Sequence, residues 1–429
     1  MRTFILSMAC LLFLMGCRQA SNYSDTDFNA PVIRIDIDNM GYQSVLLFSD
    51  IFEQISFVKL ETTDSSMIGR IDKIVATEDK YIILDISIAK TVFVFDHSGK
   101  FLNRIGTNGN GPAEYDSPHD IVYDKYNDEL LVQCHNKKSI LRFTLDGTFV
   151  GKTTFDWWVN SIFVTCEDTY LLYFNNKTQP NRKKNDYNIA VINKEGKVVE
   201  NFLPFEEKTG ELSPPRPVFS HYNDEVIFAP HYSTIIYSLE NHTIKSKYYL
   251  DFGKKTIPET TLNHKSNQEV KQVVIDNDYA FNLASFETAT HVICQFSYKG
   301  LIYDCFYAKE SKKTKISMTY INDMYGLNSG RSYFYLAGNS LITAVEPHSF
   351  IIDQEAIGKI QAGQEVNEIL INSIRMAPSS KIITNNLKNN LIKAYQSRKI
   401  TLSAEELDFI NSIRVEDNPL LMIVTPKVF

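Results

Sequence analysis

The segment TVFVFDHSGKFLNRIGTNGNGPAEYDSPHDIVYD, residues 91–124, decides the fold of this chain. It begins with a short run of β-branched and aromatic residues, and Gly99 then supplies the positive φ that a tight hairpin turn needs. Residues 101–105 form the predicted returning strand. Five glycines and prolines from Gly106 to Pro118 exclude regular secondary structure there. The segment therefore predicts a hairpin, then a glycine-rich loop, and then the start of a new strand.

The hairpin turn recurs along the chain at a nearly constant spacing. Gly147 and Gly196 follow at intervals of 48 and 49 residues, and Asn241 holds the equivalent place 45 residues later. Asn is the next best residue after Gly for a left-handed turn position. A strand-rich repeat of about 40 to 50 residues is typical of β-propeller blades with four strands each. We therefore predict an all-β fold, a six-bladed β-propeller within residues 31–429.

Length and composition agree with one large repeat fold. A chain of 429 residues is long for a single compact domain unless it forms a repeat or a closed ring. Hydrophobic residues make up 44% of the chain and charged residues 22%, which permits a sizeable core. The formal net charge is −7 and the sequence has no basic stripe, so nucleic acid is not an expected partner.

The C-terminal region is predicted to close the ring. Residues 365–414 carry apolar residues at helical spacing, and Ser403 with Glu406 resembles a capping box, so a small helical insertion is predicted there. The apolar strand 420–424 follows. Since a propeller leaves two unpaired edges unless one blade combines strands from both termini, we expect it to pair with 55–60. The six predicted blades span residues 71–105, 120–150, 161–202, 218–250, 284–309 and 316–345, with a polar, irregular insertion at 256–282.

The N-terminus has the features of an exported protein. Residues 1–16 combine Arg2 with an apolar stretch too short to span a bilayer, which predicts a secretion signal. Leu14-Met15-Gly16-Cys17 resembles the bacterial lipobox, which implies that Cys17 carries the lipid that holds the protein to a membrane. Residues 17–30 would be the lipid anchor and a polar tether. Arg18, rather than Asp, follows the Cys, and this resembles lipoproteins that are sorted to the outer membrane. The alternative is an ordinary signal with an incidental cysteine.

Four cysteines remain beyond the signal and the anchor. None of them sits in a CxxC pair, so a metal cluster is not expected. Secretion permits disulfides, and Cys294 and Cys305 can face each other across one hairpin. Buried free thiols are the favoured interpretation for the set, which comprises Cys134, Cys166, Cys294 and Cys305.

A family resemblance follows from these features. The lipobox, the blade repeat and the segment 105–115, IGTNGNGPAEY, resemble the six-bladed β-propeller lipoproteins of Gram-negative gut bacteria, which are relatives of NHL-repeat propellers. Asp417-Asn418-Pro419, ahead of the last strand, is also similar to that family. The resemblance implies a propeller on the outer membrane, on either its periplasmic or its outer side. It implies no particular activity, because one fold hosts many functions.

Candidate ligand-binding residues cluster around the glycine-rich loop. Glu114 and Tyr115 either contact a ligand at the mouth of the channel or hold the loop between blades in place, and the second role is favoured. His119 begins the next strand and joins the same candidate set. Trp157 and Trp158 either stack on sugar rings or belong to the core between blades, and the core is favoured.

Metal binding is the alternative chemistry. NHL-like propellers, which this chain resembles, include zinc and calcium enzymes whose metal ligands line the central channel. His119, His221 and His291 are each placed near the start of an inner strand, in blades two, four and five, and can converge there. Three unrelated histidines are the favoured interpretation. The sequence has no GxSxG motif, and its glycine-rich loop does not lead into a helix, so neither nucleophilic catalysis nor a phosphate cradle is indicated.

Three functional classes follow. The leading hypothesis is a lipid-anchored binding or scaffold module for a protein, peptide or glycan, which requires no cofactor and is not an enzyme. The second is a propeller enzyme, a lyase or lactonase with a metal in its channel. The third is a structural accessory of an outer-membrane transport complex.

Overall fold

The structure is a computed structural model of the chain. Residues 1–29, with the predicted signal, Cys17 and most of the tether, lie outside the description. The described residues are 30–37, 45–176, 187–205, 218–223, 225–230, 232–240, 243–263, 265, 267–324, 334–350, 358–359, 362–365, 368–369, 371–372, 385–397 and 401–429.

Six antiparallel sheets of four strands each form the blades of a propeller, so the predicted fold class is confirmed. Strands are lettered A to D in their order across each sheet. The A strands of blades 1 and 2, 2 and 3, 4 and 5, and 6 and 1 contact one another, which places strand A nearest the central axis. Blade 1 contains Lys73–Ala76, Lys80–Asp85, Thr91–Asp96 and Phe101–Ile105; blade 2, Pro118–Asp124, Glu129–Cys134, Ser139–Thr144 and Phe149–Thr154; blade 3, Ser161–Cys166, Thr169–Tyr173, Tyr187–Asn193 and Val198–Pro204; blade 4, Phe219–Tyr222, Glu225–Phe228, Ile235–Glu240 and Thr243–Asp251; blade 5, Phe281–Glu287, His291–Tyr298, Leu301–Ala308 and Thr314–Ser317; and blade 6, Tyr335–Ala337, Ser340–Val345, Leu420–Pro426 and Phe52–Lys59.

Blade 6 combines segments from opposite ends of the chain. Its C strand, Leu420–Pro426, pairs antiparallel with its D strand, Phe52–Lys59, with Leu420 opposite Lys59 and Val424 opposite Ile55. The predicted pairing of 420–424 with 55–60 is therefore present. Ile342 and Leu421 of blade 6 also share a buried hydrophobic cluster with side chains of blade 1, including Phe93. Closure of the ring by this blade stays a prediction.

Several short elements lie outside the four-stranded blades. Val32–Arg34 adds a parallel strand to the outer strand of blade 4, and Val45–Leu47 pairs parallel with Thr319–Ile321. Thr107–Asn108 and Glu114–Tyr115 pair within the loop between blades 1 and 2. The helices are Phe48–Ile51, Gly253–Lys255, Glu259–Leu262, Asn267–Asp276, Pro347–Phe350, Asn385–Gln396 and Ala404–Asn411.

The predicted helical insertion holds two of these helices, Asn385–Gln396 and Ala404–Asn411. The capping box is present, because the backbone N–H of Ser403 donates to Glu406 and the N–H of Glu406 donates to the Ser403 hydroxyl, at 2.6 and 3.1 Å.

Two boundaries differ from the sequence prediction. Residues 316–317, predicted to begin blade 6, belong to the fourth strand of blade 5, Thr314–Ser317. The segment 256–282, predicted to be irregular, contains the helix Asn267–Asp276 and the start of blade 5. Both differences arise because polar residues conceal where one blade ends and the next begins.

The repeated turn glycines contact the preceding blade. Gly99, Gly147 and Gly196 have φ of 86°, 93° and 81°, in the turns between strands C and D. A Cβ at Gly99 or Gly196 would lie 2.1 Å from a backbone oxygen at the end of the preceding D strand, whereas at Gly147 the nearest such oxygen is 3.2 Å away. Glycine is thus required at all three turns because φ is positive. At two of them it is also required because a Cβ would collide with a backbone oxygen.

This difference predicts a graded effect of alanine at the three turns. Gly99→Ala and Gly196→Ala should lower the free energy of unfolding by about 2 kcal/mol or more, because strain in φ adds to a collision with backbone. Gly147→Ala serves as the matched control, with a loss of about 1 kcal/mol from φ alone. Urea denaturation of the three variants measures this, and equal losses would mean that the contact between blades is unimportant.

Candidate functional site

A cavity of about 270 Å³ lies where the A strands meet. Each of the six blades contributes at least one A-strand residue to its wall. The lining residues are Lys73, Ile74, Val75 and Ala76 of blade 1, Ile121, Val122 and Tyr123 of blade 2, Phe163 of blade 3, Phe219, Ser220 and His221 of blade 4, Phe286 of blade 5 and Tyr335 and Leu336 of blade 6, together with Lys125 and Gly338 in the turns that follow.

Aromatic side chains form much of this wall. The ring of Phe163 stacks on that of Phe219 with centroids 5.4 Å apart, and the His221 ring lies 4.7 Å from Phe163. Phe286 and Tyr335 come from the neighbouring blades 5 and 6. A concave wall of aromatic and aliphatic groups with a few polar atoms is the usual character of a ligand pocket.

A buried ion pair joins the blades beside the cavity. Lys73 Nζ lies 2.8 Å from Oδ1 of Asp120, a residue that is 1% exposed. The second carboxylate oxygen of Asp120 accepts a hydrogen bond from the backbone N–H of Ile162, at 3.1 Å. Asp120 thereby connects blades 1, 2 and 3, and it neutralises the charge that Lys73 brings to the wall.

Two other polar groups of the wall differ in their partners. The Ser220 hydroxyl is buried, the residue being 6% exposed, and it has no hydrogen-bond partner among the described residues. The Tyr123 hydroxyl donates to Asp128 at 2.9 Å, and burial together with this contact raises the pKa of Tyr123 to about 12. The Ser220 hydroxyl is therefore an unpaired donor that lies within the wall and is shielded from solvent.

Lys125 is the exposed cation of the wall. Its Nζ lies 5.2 Å from the ring centroid of Tyr126. Within the described part of the chain, no carboxylate lies within 4.0 Å of this ammonium. Its charge is therefore not offset by a direct ion pair.

The structure does not bring the three predicted metal-binding histidines together. His221 lines the cavity, and His119 lies near the start of the A strand of blade 2, with its ring 4.5 Å from that of His135. His291 begins the B strand of blade 5, which corrects the prediction of an inner strand, since the A strand already runs over Phe281–Glu287. Among the described residues, no three His, Cys, Asp or Glu side chains are grouped closely enough to hold a metal ion.

The loop residues Glu114 and Tyr115 make internal contacts. Tyr115 is fully buried, and its hydroxyl donates to the Ile105 carbonyl at 2.7 Å. Glu114 accepts from the backbone N–H of Gly111 at 2.7 Å, and its carbonyl accepts from Lys137 at 2.9 Å. These contacts support the favoured role of holding the loop in place.

The two tryptophans occupy different environments. Trp157 packs against the core of blades 2 and 3, edge-on to Phe174 at 6.0 Å. Trp158 is half-buried, with its ring 4.8 Å from that of His135 and the Lys138 ammonium 5.0 Å from its own centroid. His119, His135 and Trp158 therefore form a row of rings beside the loop that joins blades 2 and 3.

The four cysteines are free thiols in this structure. Cys294 lies directly opposite Cys305 in the B–C hairpin of blade 5, as the spacing predicted, and burial raises the pKa of Cys294 to about 12. Cys134 is also buried. Cys166 is exposed, which corrects the expectation that the whole set is buried.

His291 predicts a pH dependence of stability. It is fully buried, and burial lowers its pKa from 6.5 to about 4. Between these values the unfolded chain binds a proton that the folded protein does not, so stability must fall as the pH falls from about 6.5 to 4. From pH 7.5 to 4.5 the loss from this residue should be about 2 kcal/mol.

Urea denaturation of wild type and His291→Phe at pH 7.5 and 4.5 tests this effect. The variant should lose less stability on acidification than wild type does. An identical loss in both proteins would mean that His291 does not titrate in this range.

No helix in the described segments is long and apolar enough to cross a bilayer.

The comparison with protein families identifies the chain. Residues 31–372 match the profile of a family described as Domain of unknown function (DUF4934). The chain belongs to the DUF4934 family. This match covers blades 1 to 5 and the parts of blade 6 that precede residue 372, and the family description supplies no activity.

Solved structures are similar to this DUF4934 chain to different degrees. A protein described as exported, from Bacteroides fragilis NCTC 9343, superposes with a TM-score of 0.68 at 17% identity, over 92% of this chain and 99% of that one. A DUF4221 family member from Bacteroides vulgatus ATCC 8482 gives 0.48 at 10% identity, over 70% and 92%. Virginiamycin B lyase from Staphylococcus aureus gives 0.36 at 13%, over 67% and 94%.

At 17% identity the first similarity supports the architecture of the DUF4934 chain and nothing about its function. The other two similarities, with TM-scores below 0.5, carry no argument. No curated protein matches the sequence.

Proposed function

We propose that this DUF4934 protein is a lipid-anchored binding module of the bacterial outer membrane. In this proposal, the propeller holds a peptide, protein or glycan ligand by taking one apolar or aromatic group of that ligand into the central cavity. The observation that carries the proposal is the cavity itself, because the innermost strands of all six blades converge on one largely apolar wall.

The size of the cavity limits what can enter it. Complete sites for drug-sized molecules usually measure about 300 to 1,000 Å³. At about 270 Å³ this cavity suits one ring or one short aliphatic group, with the rest of the ligand lying outside. A larger partner that inserts a single side chain fits this description, as is common for the anchor residues of binding interfaces.

Placement at the outer membrane is supported by the lipobox-like sequence at Cys17 and by the similarity to a protein described as exported. Replacing Cys17 with Ser should release the mature protein into the soluble fraction, because acyl chains would then no longer anchor it. Fractionation of cells that express each form measures this, and continued membrane association of the variant would contradict the anchor.

Binding can be tested with a neutral aromatic probe. N-acetyl-4-fluorophenylalanine amide presents one ring on a peptide-like backbone, and its ¹⁹F NMR line should broaden when wild-type protein is added. Ala76→Phe places a ring in the cavity wall and should abolish the broadening. Val150→Phe is the matched control, since it adds the same ring on the exposed outer strand of blade 2.

Thermal melts establish that all three proteins are folded before they are compared. Broadening by wild type and Val150→Phe, but not by Ala76→Phe, is the expected result. No broadening with wild type, or equal broadening with Ala76→Phe, would contradict the central cavity as the binding site.

A further inference from the structure

We infer that the partner of the cavity is a basic polypeptide, a peptide or protein loop that inserts one apolar side chain and places lysine or arginine residues over the turns of blades 1 to 3. This inference rests on the proposed function, and it selects one of the ligand classes named there. Its basis is the position of the cavity mouth and the distribution of charges around it.

The cavity extends towards the turns that join strands A and B. Its wall includes Lys125 and Gly338 from two of these turns, and it includes no residue of the loops that lead into the A strands. Near the other end of the A strands, the buried pair of Lys73 and Asp120 links blades 1, 2 and 3. A partner therefore reaches the cavity over the A–B turns.

Carboxylates outnumber cations in the A–B turns of blades 1 to 3. The turns 77–79, 125–128 and 167–168 contain five acidic residues and one lysine. In blades 4, 5 and 6 the described residues of the A–B turns are uncharged. Among the described turn residues, negative charge is thus concentrated on one half of the mouth. The five acidic residues are Glu78, Asp79, Asp128, Glu167 and Asp168.

Two of these carboxylates are available to a partner. Glu78 and Glu167 are exposed, and neither forms an ion pair within the described part of the chain. Asp79 and Asp168, in contrast, each pair with a lysine. A cation of the partner placed beside Glu78 or Glu167 would therefore gain an ion pair without breaking an existing one.

The acidic turns lie close to the cavity wall. Tyr123 lines the cavity, and burial together with the hydrogen bond to Asp128 raises its pKa to about 12. The charges of Asp128, Asp79 and Glu78 add to this shift, so they act on a wall residue. Glu78 follows Ala76 of the wall by two residues, at most about 7 Å of chain. A lysine beside an inserted side chain spans that distance.

The blade 4 and 5 side of the mouth is balanced within the protein. Tyr222 and Glu287 each follow a wall residue, and Lys247 and Lys309 lie 5.0 and 3.9 Å from the Tyr222 ring centroid. The same two ammonium groups pair with the buried Glu287 at 2.9 and 2.7 Å. Lys247 also pairs with Glu225. These charges compensate one another, so this side offers a basic partner no unpaired carboxylate.

The C–D turns, on the same face, leave this asymmetry in place. With Asp96 at the end of its strand, those of blades 1 to 3 carry three acidic residues and three lysines. In blade 5, residues 309–313 include three lysines and one glutamate. The face is therefore negative towards blades 1 to 3 and positive towards blade 5, which orients a basic partner.

A polypeptide combines the two properties that this surface selects. The cavity takes an aromatic or short aliphatic group, and the turns beside it favour a cation within a few ångströms. An apolar side chain next to lysine or arginine supplies both within two residues of chain. A neutral or acidic glycan supplies no cation, so the charge pattern favours a peptide or protein over a glycan.

Two peptides that differ only in charge test this inference. We would titrate N-acetyl-Lys-(4-fluoro-Phe)-Lys amide, and the same peptide with both lysine side chains acetylated, into the full mature chain and follow the ¹⁹F line. The charged peptide should bind about fivefold more tightly, which corresponds to about one exposed ion pair. The preference should shrink as the salt concentration rises.

Two double variants with the same change in net charge locate the effect. Glu78→Gln with Glu167→Gln removes the available carboxylates and should bring the two affinities within about twofold of each other. Asp64→Asn with Asp156→Asn is the matched control, because both residues are exposed in loops that lead into A strands, on the opposite face. The control should keep the full preference. All four positions are exposed, and thermal melts establish that both variants are folded.

The outcomes separate this inference from the proposed function. If wild type binds both peptides equally, or if the Glu78 and Glu167 variant keeps the preference, the basic partner is wrong and the binding module stands. Equal loss of the preference in the control variant also contradicts the inference, since net charge would then be the cause. If N-acetyl-4-fluorophenylalanine amide binds and neither peptide does, only the inference is wrong. If none of the three probes binds, the proposed function is contradicted, and the inference is contradicted with it.

Discussion

Deletion of residues 420–429 is expected to leave no soluble, cooperatively folding protein. The strand Leu420–Pro426 lies between Ser340–Val345 and Phe52–Lys59 in blade 6, so its loss exposes the edges of both neighbours. Four of its apolar side chains are at most 2% exposed, and burying each one contributes about 1.5 to 3 kcal/mol. The sum is comparable with the whole stability of a typical domain, about 5 to 15 kcal/mol.

The control is a deletion of similar length in the predicted tether. Removing residues 19–27 should change little, because that segment precedes the first strand, Val32–Arg34. Both truncations are made in the Cys17→Ser background. Their solubility and urea denaturation show whether the C-terminal strand is needed for folding. A soluble 1–419 chain that unfolds cooperatively would contradict closure of the ring by this strand.

Loss of the Asp120 carboxylate is the second change with a large expected effect. Asp120→Ala leaves Lys73 buried without its counter-ion and leaves the N–H of Ile162 without its acceptor. Removing one partner of a buried pair typically costs about 3 to 5 kcal/mol. Urea denaturation should show a loss of this size at neutral pH.

A double variant separates the missing charge from the missing side chain. In Lys73→Met with Asp120→Ala no charge is left buried, so much of the lost stability should return. If the double variant is as unstable as Asp120→Ala alone, the stranded ammonium is not the cause. If Asp120→Ala unfolds like wild type, the pair does not link the blades energetically.

The sequence predicted the repeated part of the fold because its signal is local. A turn glycine such as Gly99 is needed for its own positive φ, and Gly147 and Gly196 meet the same need in the next two blades. The capping box at Ser403 is local in the same way. Pairing between the two ends of the chain was predictable from a topological rule, since a ring needs its edges covered.

The resemblance at Asp417-Asn418-Pro419 gains a physical explanation. Asn418 is 2% exposed, and its side chain accepts from the N–H of Ile68 and donates to the carbonyls of Glu61 and Ser66, at 2.8, 2.9 and 2.8 Å. These bonds join the segment before the last strand to the segment after the D strand of blade 6. Only the fold reveals them, because the partners are about 350 residues apart in sequence.

The cavity was not predictable from the sequence. Its wall is assembled from residues between Lys73 and Gly338, and no periodic pattern marks which A-strand side chains face the axis. His221, which was a candidate channel ligand although unrelated histidines were favoured, does line the wall. Its neighbour Ser220 was not singled out, since an isolated serine in a strand carries no signal. His291 was misplaced because the polar segment before Phe281 concealed the true start of blade 5.

A crystal structure of the mature protein with N-acetyl-4-fluorophenylalanine amide tests the central claim most directly. We expect the fluorophenyl ring to lie in the cavity against Phe219 and Phe286, with the backbone amides of the probe outside it. A probe bound elsewhere, such as on the row of rings at Trp158, with the central cavity left free of it, would contradict the account.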